Sequence, residues 1–427
     1  MEVKKVGSFV IIFVLVTSLM PVWGNAADLS YGSSCPKIKL TKIYNSKKYV
    51  CLRINKKMIW TVEQTQGLGN SETNGKNSNS LEDFVDFRRR LTYGIKNDKL
   101  TRLSSSGIFF EKDSRKIAEF DPIRVNAYNQ LHKTLNNITH PNVDFTYVIT
   151  NNFPKNLIDY NKRELDEAAA IWNQYFRNKI NVNVYFVTEK DRIKIKENSW
   201  MDRNLQNTLD RLENKGERPF IAGGADYWDH NGSLYGELYL ATASDLNLNY
   251  VNYEWPEVAK HEFTHIVQGY FYRLNGEPST VNEDVFGIRR PLNFIEGSAN
   301  SIGYLSGFGN IGWSSDALDW ELWQLLKDKQ NFIKVDSALN MKKLIYLTEK
   351  GMPQEAFELS YAVGGILYEY FLGNYGLDKY VNLLEQTGSG VNFDTALKNT
   401  IGISRDEFYT NASAYIYSAI LRVKPYA

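Results

Sequence analysis

The sequence predicts an α+β fold in which a small mixed sheet is followed by a mainly helical C-terminal half. Strand-like patterns all come before residue 243, and most of the helical periodicity comes after residue 255. This order favours an α+β arrangement over a wound parallel sheet, in which strands and helices alternate along the chain. Both cysteines, Cys35 and Cys51, lie near the N-terminus. We therefore expect a small separate module in front of the main domain.

Composition and charge narrow the classes of partner. The chain has 427 residues, of which 43% are hydrophobic, and this excludes a wholly disordered protein. A formal net charge of +1 argues against a nucleic-acid partner. The charge is unevenly spread, because residues 29–62 hold eight basic residues and no acidic one. A basic N-terminal module thus precedes a mildly acidic body.

The first 26 residues are typical of a secretory signal peptide. Lys4 and Lys5 precede an apolar run at residues 9–20, and small residues follow at 24–27. The alternative is an uncleaved anchor, but the apolar run is short for a membrane-spanning helix. We expect cleavage after residue 26 or 27. The mature protein is then secreted or associated with the cell surface, with no transmembrane span.

Residues 28–62 form the basic module, and we predict a hairpin stapled by a Cys35–Cys51 disulfide. The two cysteines bracket a partly alternating segment around the turn-forming pair Asn45-Ser46. A disulfide persists outside the cytoplasm and contributes about 3 kcal/mol for a loop of this length. The segment resembles a short cysteine-paired repeat of secreted bacterial proteins. Its charge fits either a solubilising role or contact with an anionic cell envelope.

The rest of the chain divides into three parts. Residues 63–80 are rich in Gly, Asn and Ser and predict a flexible linker. Residues 81–140 predict a helical extension, with helices at 81–91 and 117–135. Residues 141–427 form the main domain.

Within the main domain, apolar spacing predicts three strands and a series of helices. The strands are expected at residues 145–150, 182–187 and 234–242. A solvated helix and loop is expected at residues 190–217. The other helices are expected at residues 162–178, 256–274, 292–303, 317–327, 354–375, 377–386, 393–400 and 405–421.

The sharpest signal is His261-Glu262-Phe263-Thr264-His265. Histidines four residues apart lie on the same face of a helix, so both imidazoles can reach one metal ion. The adjacent Glu262 can approach a metal-bound water. Apolar residues flank the motif on several sides and predict a buried helix, which would not carry three such groups unpaired. The motif therefore predicts a Zn²⁺ site.

A catalytic zinc ion needs a third protein ligand and one open position. No histidine follows the motif, so the third ligand is predicted to be a carboxylate. Glu296 is the best candidate, because it lies in an apolar helical pattern where a buried carboxylate demands a partner. One alternative is that Glu296 caps a helix and faces solvent. Another is that Glu283 or Asp284 supplies the ligand.

The spacing of these motifs resembles the gluzincin metallopeptidases, in particular the peptidase MA-like group. The similarity rests on residues 261–265 followed about thirty residues later by Phe294-x-Glu296-Gly-x-Ala299. It continues through the helical segment at residues 360–376 and covers roughly residues 141–420. This resemblance implies a zincin-like catalytic domain, zinc as cofactor, and a peptide or protein substrate.

The resemblance also suggests roles for two further residues. Tyr361 is expected to donate a hydrogen bond to the oxyanion that forms during hydrolysis. The alternative is an ordinary core tyrosine, since the chain has 27 tyrosines. Asn300 stands where thermolysin-like relatives often have an aspartate that orients a zinc-bound histidine. Its amide oxygen can still accept the imidazole N–H. The strand at residues 235–242 is expected to border the cleft, with its edge open to an extended substrate.

The predicted function is a secreted zinc peptidase in which Glu262 acts as general base. One alternative is a zinc hydrolase of a non-peptide amide or ester. The other is a non-catalytic cell-surface binding module that retains the metal fold. The presence of Glu262 favours an enzyme, because a binding role needs no general base.

Overall fold

The computed structural model describes most of the main domain and several strands before it. The described residues are 41–44, 47–54, 57–62, 93–96, 99–103, 109–110, 116–135, 138–195, 199–213, 221–230, 233–244, 255–273, 290–328, 338–350 and 354–423. The predicted signal peptide (1–26) and linker (63–80) lie outside them. The chain divides into two compact units, Met1–Glu63 and Gln64–Ala427.

The N-terminal unit contains an antiparallel sheet of three strands in the order β1-β2-β3. The strands are β1 Thr41–Tyr44, β2 Lys47–Ile54 and β3 Lys57–Val62. Tyr44 pairs with Lys47, so the two strands flank the pair Asn45-Ser46, which lies outside the described residues. Strand β3 was not predicted. Cys51 is in β2 but Cys35 lies outside the described residues, so the disulfide stays a prediction.

The segment predicted as a helical extension contains strands as well as a helix. Three short strands form an antiparallel sheet: β4 Tyr93–Lys96, β5 Lys99–Leu103 and β6 Phe109–Phe110. Of the two predicted helices, the one at 117–135 corresponds to α1, Pro122–His132, and the one at 81–91 lies outside the described residues. The described residues of this segment therefore include strands that were not predicted, and the turn-forming pair Asn97-Asp98 favours a local hairpin there.

The main sheet has four strands in the order β7-β8-β10-β9. They are β7 Val143–Ile149, β8 Ile180–Thr188, β9 Ile221–His230 and β10 Ser233–Thr242. Strands β7, β8 and β10 are parallel, and β9 is antiparallel to β10 at one edge. The sheet is small and mixed, as predicted. Strand β9 was missed because its glycines and aspartates have low strand propensity.

The position of β9 corrects one expectation about the cleft. Strand β10 lies between β8 and β9, so its own edges are already hydrogen-bonded. Among the described strands, the edge strand on this side of the sheet is β9. The reason is that a hairpin of two ten-residue strands folds β9 back onto β10 over its whole length.

The C-terminal half is mainly helical, which confirms the predicted α+β class. The helices after α1 are α2 Lys155–Trp172, α3 Trp200–Glu213, α4 Trp255–Arg273, α5 Leu292–Gly307, α6 Ile311–Asp328, α7 Ala338–Leu347, α8 Gln354–Tyr375, α9 Leu377–Gly388, α10 Phe393–Ile401 and α11 Arg405–Val423. Helix α7 was not predicted. Throughout the described part of the chain, each helix is too short or too polar to cross a bilayer.

Helix α4 packs against the sheet on one side and against α5 on the other. Helix α8 packs against α5 and α1. The contact between α1 and α8 includes a buried ion pair, in which Arg124 Nε lies 2.5 Å from Glu369 Oε1. Asp319 of α6 lies 3.1 Å from the same guanidinium. Helices α4, α5 and α8 thus pack around one site, while the Arg124 ion pairs tie α1 to α6 and α8.

Candidate metal centre

Three side chains that could hold a metal ion meet where α4 crosses α5. The ligand atoms of His261, His265 and Glu296 all lie within 4.8 Å of one another. The two Nε2 atoms are 3.0 Å apart, and Glu296 Oε2 is 3.5 Å from His261 Nε2 and 3.3 Å from His265 Nε2. The histidines come from successive turns of α4, and the carboxylate comes from the first turns of α5. Two nitrogens and one carboxylate oxygen thus converge on one point.

The donor set fits a zinc ion. Among the described residues, Oε2 of Glu296 is buried and accepts no hydrogen bond of normal geometry. A buried carboxylate oxygen in that state needs a cation, and two imidazoles with one carboxylate are a known catalytic zinc set. In the absence of a metal ion, a proton on His265 supplies the positive charge. Burial alone would lower the pKa of His265, but the Glu296 carboxylate raises it to about 9.

Each histidine is oriented by an amide side chain. His261 Nδ1 lies 2.9 Å from Asn300 Oδ1, so the imidazole donates to the amide oxygen. His265 Nδ1 lies 2.9 Å from Gln268 Oε1 in the same way. Gln268 Nε2 in turn donates to the Ile295 carbonyl at 2.9 Å. Because Nδ1 of each ring carries the proton, Nε2 of each presents its lone pair to the metal position.

Glu262 is buried beside the two histidines and packs against the edge strand β9. A Cβ atom at Gly223 would overlap Glu262 Cγ and lie 2.7 Å from Oε1, so only glycine leaves room for this side chain. Burial raises the pKa of Glu262 above its ordinary value, although the neighbouring His261 and His265 act in the opposite direction. A buried carboxylate beside a metal position can serve in proton transfer.

Tyr361 of α8 lies on the other side of the triad. Its ring stacks on His261 with 5.8 Å between ring centroids and 5° between planes. Burial raises its pKa, and the charges of Glu296 and Glu262 add to the effect. The phenol therefore keeps its proton at neutral pH and can donate a hydrogen bond.

The close approach of α8 to α5 depends on two glycines. A Cβ atom at Gly297 would overlap the backbone of Gly364, and one at Gly364 would overlap the backbone of Asn293. Gly297 follows Glu296 directly, and Gly364 is three residues from Tyr361. The crossing of these helices therefore places the phenol next to the third ligand.

The opposite face of the motif helix is anchored by Lys260, which is fully buried. Its Nζ lies 2.8 Å from Glu164 and 2.5 Å from Glu167, both on α2. It also donates to the Ser306 carbonyl near the end of α5 at 2.7 Å. One side chain thus joins α4 to α2 and α5 directly behind the metal ligands.

The triad opens into a cleft of about 540 Å³. One wall is the edge strand β9, from Gly223 to Tyr227. The other wall is formed by residues of α5 and α8, including Ile295 and Phe357. Arg290 is buried at this wall and lies over the Tyr272 ring at 4.8 Å.

Sequence reasoning missed several of these residues. Gln268 could have been found, because it lies three residues after His265 on the same helix face. Gly223 and Lys260 carry no local signal, since their roles come from contacts with distant elements. Of the alternative ligands, Glu283 and Asp284 lie outside the described residues.

Comparisons with protein-family models, characterised proteins and solved structures give no significant match.

Proposed function

We propose that this protein is a secreted zinc-dependent peptidase with a zincin-like catalytic domain. The observation that carries the proposal is the convergence of His261, His265 and Glu296, with the buried Glu262 beside them. The order of a mixed sheet, a motif helix and a helical second half supports the proposed fold. The signal-like N-terminus supports secretion.

The three ligands would hold a zinc ion, which supplies Lewis-acid activation of a water molecule and of the scissile carbonyl. Glu262 accepts the proton of the attacking water and passes it to the leaving amine. Tyr361 donates a hydrogen bond to the oxygen that gains negative charge. Asn300 and Gln268 hold the imidazoles so that both Nε2 atoms face the metal position.

The shape of the cleft favours a peptide over a small amide or ester. The edge strand β9 borders the triad, and its outer backbone groups can hydrogen-bond an extended chain as an additional strand. A cleft of about 540 Å³ has room for several substrate side chains.

The first test is metal analysis combined with digestion of casein and of a peptide library. Wild-type protein should contain one zinc ion per chain and cleave peptide bonds. His265→Ala should lose both properties, because two ligands hold a catalytic zinc ion poorly. Equal zinc content in both proteins would refute the site. Zinc binding without cleavage of any peptide, amide or ester would favour the binding-module alternative.

Tyr361→Phe should lower turnover by about 10²–10³-fold, the usual cost of losing one oxyanion donor. Zinc content should remain normal because the phenol is not a ligand. The KM for a cleaved peptide should change little, because the hydrogen bond forms mainly in the transition state. A rise in KM with unchanged turnover would instead assign Tyr361 to substrate binding.

A further inference from the structure

Position 300 is an asparagine, but its side chain is hydrogen-bonded to a carboxylate, that of Glu321. Asn300 Nδ2 donates to both carboxylate oxygens of Glu321, at 2.8 and 2.9 Å. The Oδ1 atom of the same amide lies 2.9 Å from His261 Nδ1. An unbroken path therefore leads from Glu321 through Asn300 to His261.

The orientation of each group along this path follows from the group before it. A carboxylate only accepts hydrogen bonds, so the NH₂ of Asn300 must face Glu321. The amide oxygen must then face His261, whose Nδ1 must carry the proton. The remaining nitrogen, Nε2, is left with its lone pair towards Glu296 Oε2 at 3.5 Å.

We propose that Glu321 is a positioning residue of the metal centre, which fixes the His261 tautomer through Asn300. The proposal rests on the proposed zinc site. Its charge polarises the amide, and a polarised amide oxygen makes the imidazole a stronger ligand. A carboxylate of α6 thus acts on His261 through an amide, whereas the nearby Glu257 of α4 lies 3.7 Å from His261 Nδ1, beyond hydrogen-bond distance.

The corresponding contact at His265 is different. Gln268 is oriented by a neutral carbonyl, that of Ile295, with Ser298 Oγ at 2.8 Å as a second acceptor. Within the described residues, the amide that orients His261 is bound to a charged group, whereas the amide that orients His265 is bound to neutral groups. Replacing Glu321 should therefore weaken the bond of His261 to zinc and leave that of His265 unchanged.

The test is zinc affinity of the metal-free, full-length protein, measured by competition with a chromophoric chelator. Glu321→Gln should weaken zinc affinity by about 10- to 100-fold, the usual cost of losing a partner behind a ligand. Asp319→Asn is the matched control. It removes a carboxylate from the same helix, but one that pairs with Arg124 and Arg422, so zinc affinity should stay at the wild-type value.

A second variant exchanges the two groups. Asn300→Asp combined with Glu321→Gln puts the carboxylate directly on His261 and the amide behind it, so the same hydrogen bonds can form. Zinc affinity should return at least to the wild-type value. Asn300→Asp alone should bind zinc more weakly than the double variant, because two carboxylates then face each other. A purely structural role for Glu321 predicts no such rescue.

Three outcomes decide the proposal. Wild-type affinity in Glu321→Gln, or a double variant no better than Glu321→Gln, would overturn it while leaving the zinc site intact. A wild-type protein that binds no zinc would overturn the proposed function as well. If Glu321→Gln fails to fold, the double variant decides alone, since wild-type affinity supports the relay and a weak site refutes it.

Discussion

Replacing Glu262 with glutamine is expected to reduce peptide hydrolysis by about 10²–10⁴-fold and to leave zinc bound. Glutamine keeps the shape that fits over Gly223, but it cannot accept a proton. His261, His265 and Glu296 are unchanged, so the zinc content should equal that of wild type. The two readouts together separate a lost general base from a lost metal.

The measurement is single-turnover cleavage of a library-selected peptide, with zinc content determined on the same sample. Glu385→Gln is a suitable control, because it makes the same chemical change in a surface ion pair with Arg177. Its turnover should match wild type. Wild-type turnover in Glu262→Gln would show that another group takes the proton.

Replacing Lys260 with methionine should have the largest effect on stability. It leaves Glu164 and Glu167 close together behind the motif helix without their cation. Breaking a buried ion pair by removing one partner costs about 3–5 kcal/mol. Lys342→Met is the comparison, since Lys342 pairs with Asp406 at the surface and such pairs contribute about 0–1 kcal/mol.

The pH dependence of the stability of Lys260→Met distinguishes unpaired buried carboxylates from a simple loss of packing. Burial raises the pKa of Glu164 to about 7 even with Lys260 present, whereas its ordinary value is 4.5. A carboxyl with a raised pKa loses folding free energy as the pH rises from its unfolded value to its folded value. Without the lysine that penalty grows, so urea unfolding should show a smaller deficit at pH 5 than at pH 8. An equal deficit at both pH values would contradict the buried-charge explanation.

The helical half was predictable because its information is local. Apolar spacing placed the helix at residues 354–375 with the bounds that the structure has, and placed α4 within one residue at each end. The spacing of His261 and His265 puts both on one helix face whatever surrounds it. Strand β9 could not be predicted from apolar spacing, because it is stabilised by pairing with β10 rather than by its own strand propensity.

The candidate site likewise combines residues with a local signal and residues whose roles depend on distant contacts. Its ligands could be proposed from a motif and from one carboxylate in an apolar pattern. The residues that hold those ligands in place could not be predicted. Lys260 contacts α2, Glu262 contacts β9, and Asn300 contacts Glu321, each far away in the sequence. Such contacts leave no periodic signal in a single sequence, because the partner could be any residue of the right type.

Local patterns were therefore enough to predict the α+β order of elements, the helix that carries His261 and His265, and the residue types able to bind zinc. Contacts between distant segments were needed to show that Glu296 faces both imidazoles, that β9 rather than β10 is the edge strand of the described sheet, and that Glu321 lies behind Asn300. Which residues share a helix face follows from the repeat of 3.6 residues per turn, and this repeat can be recognised within a short segment of sequence. Which faces meet depends on close packing between segments far apart in the chain, such as the crossing at Gly297 and Gly364.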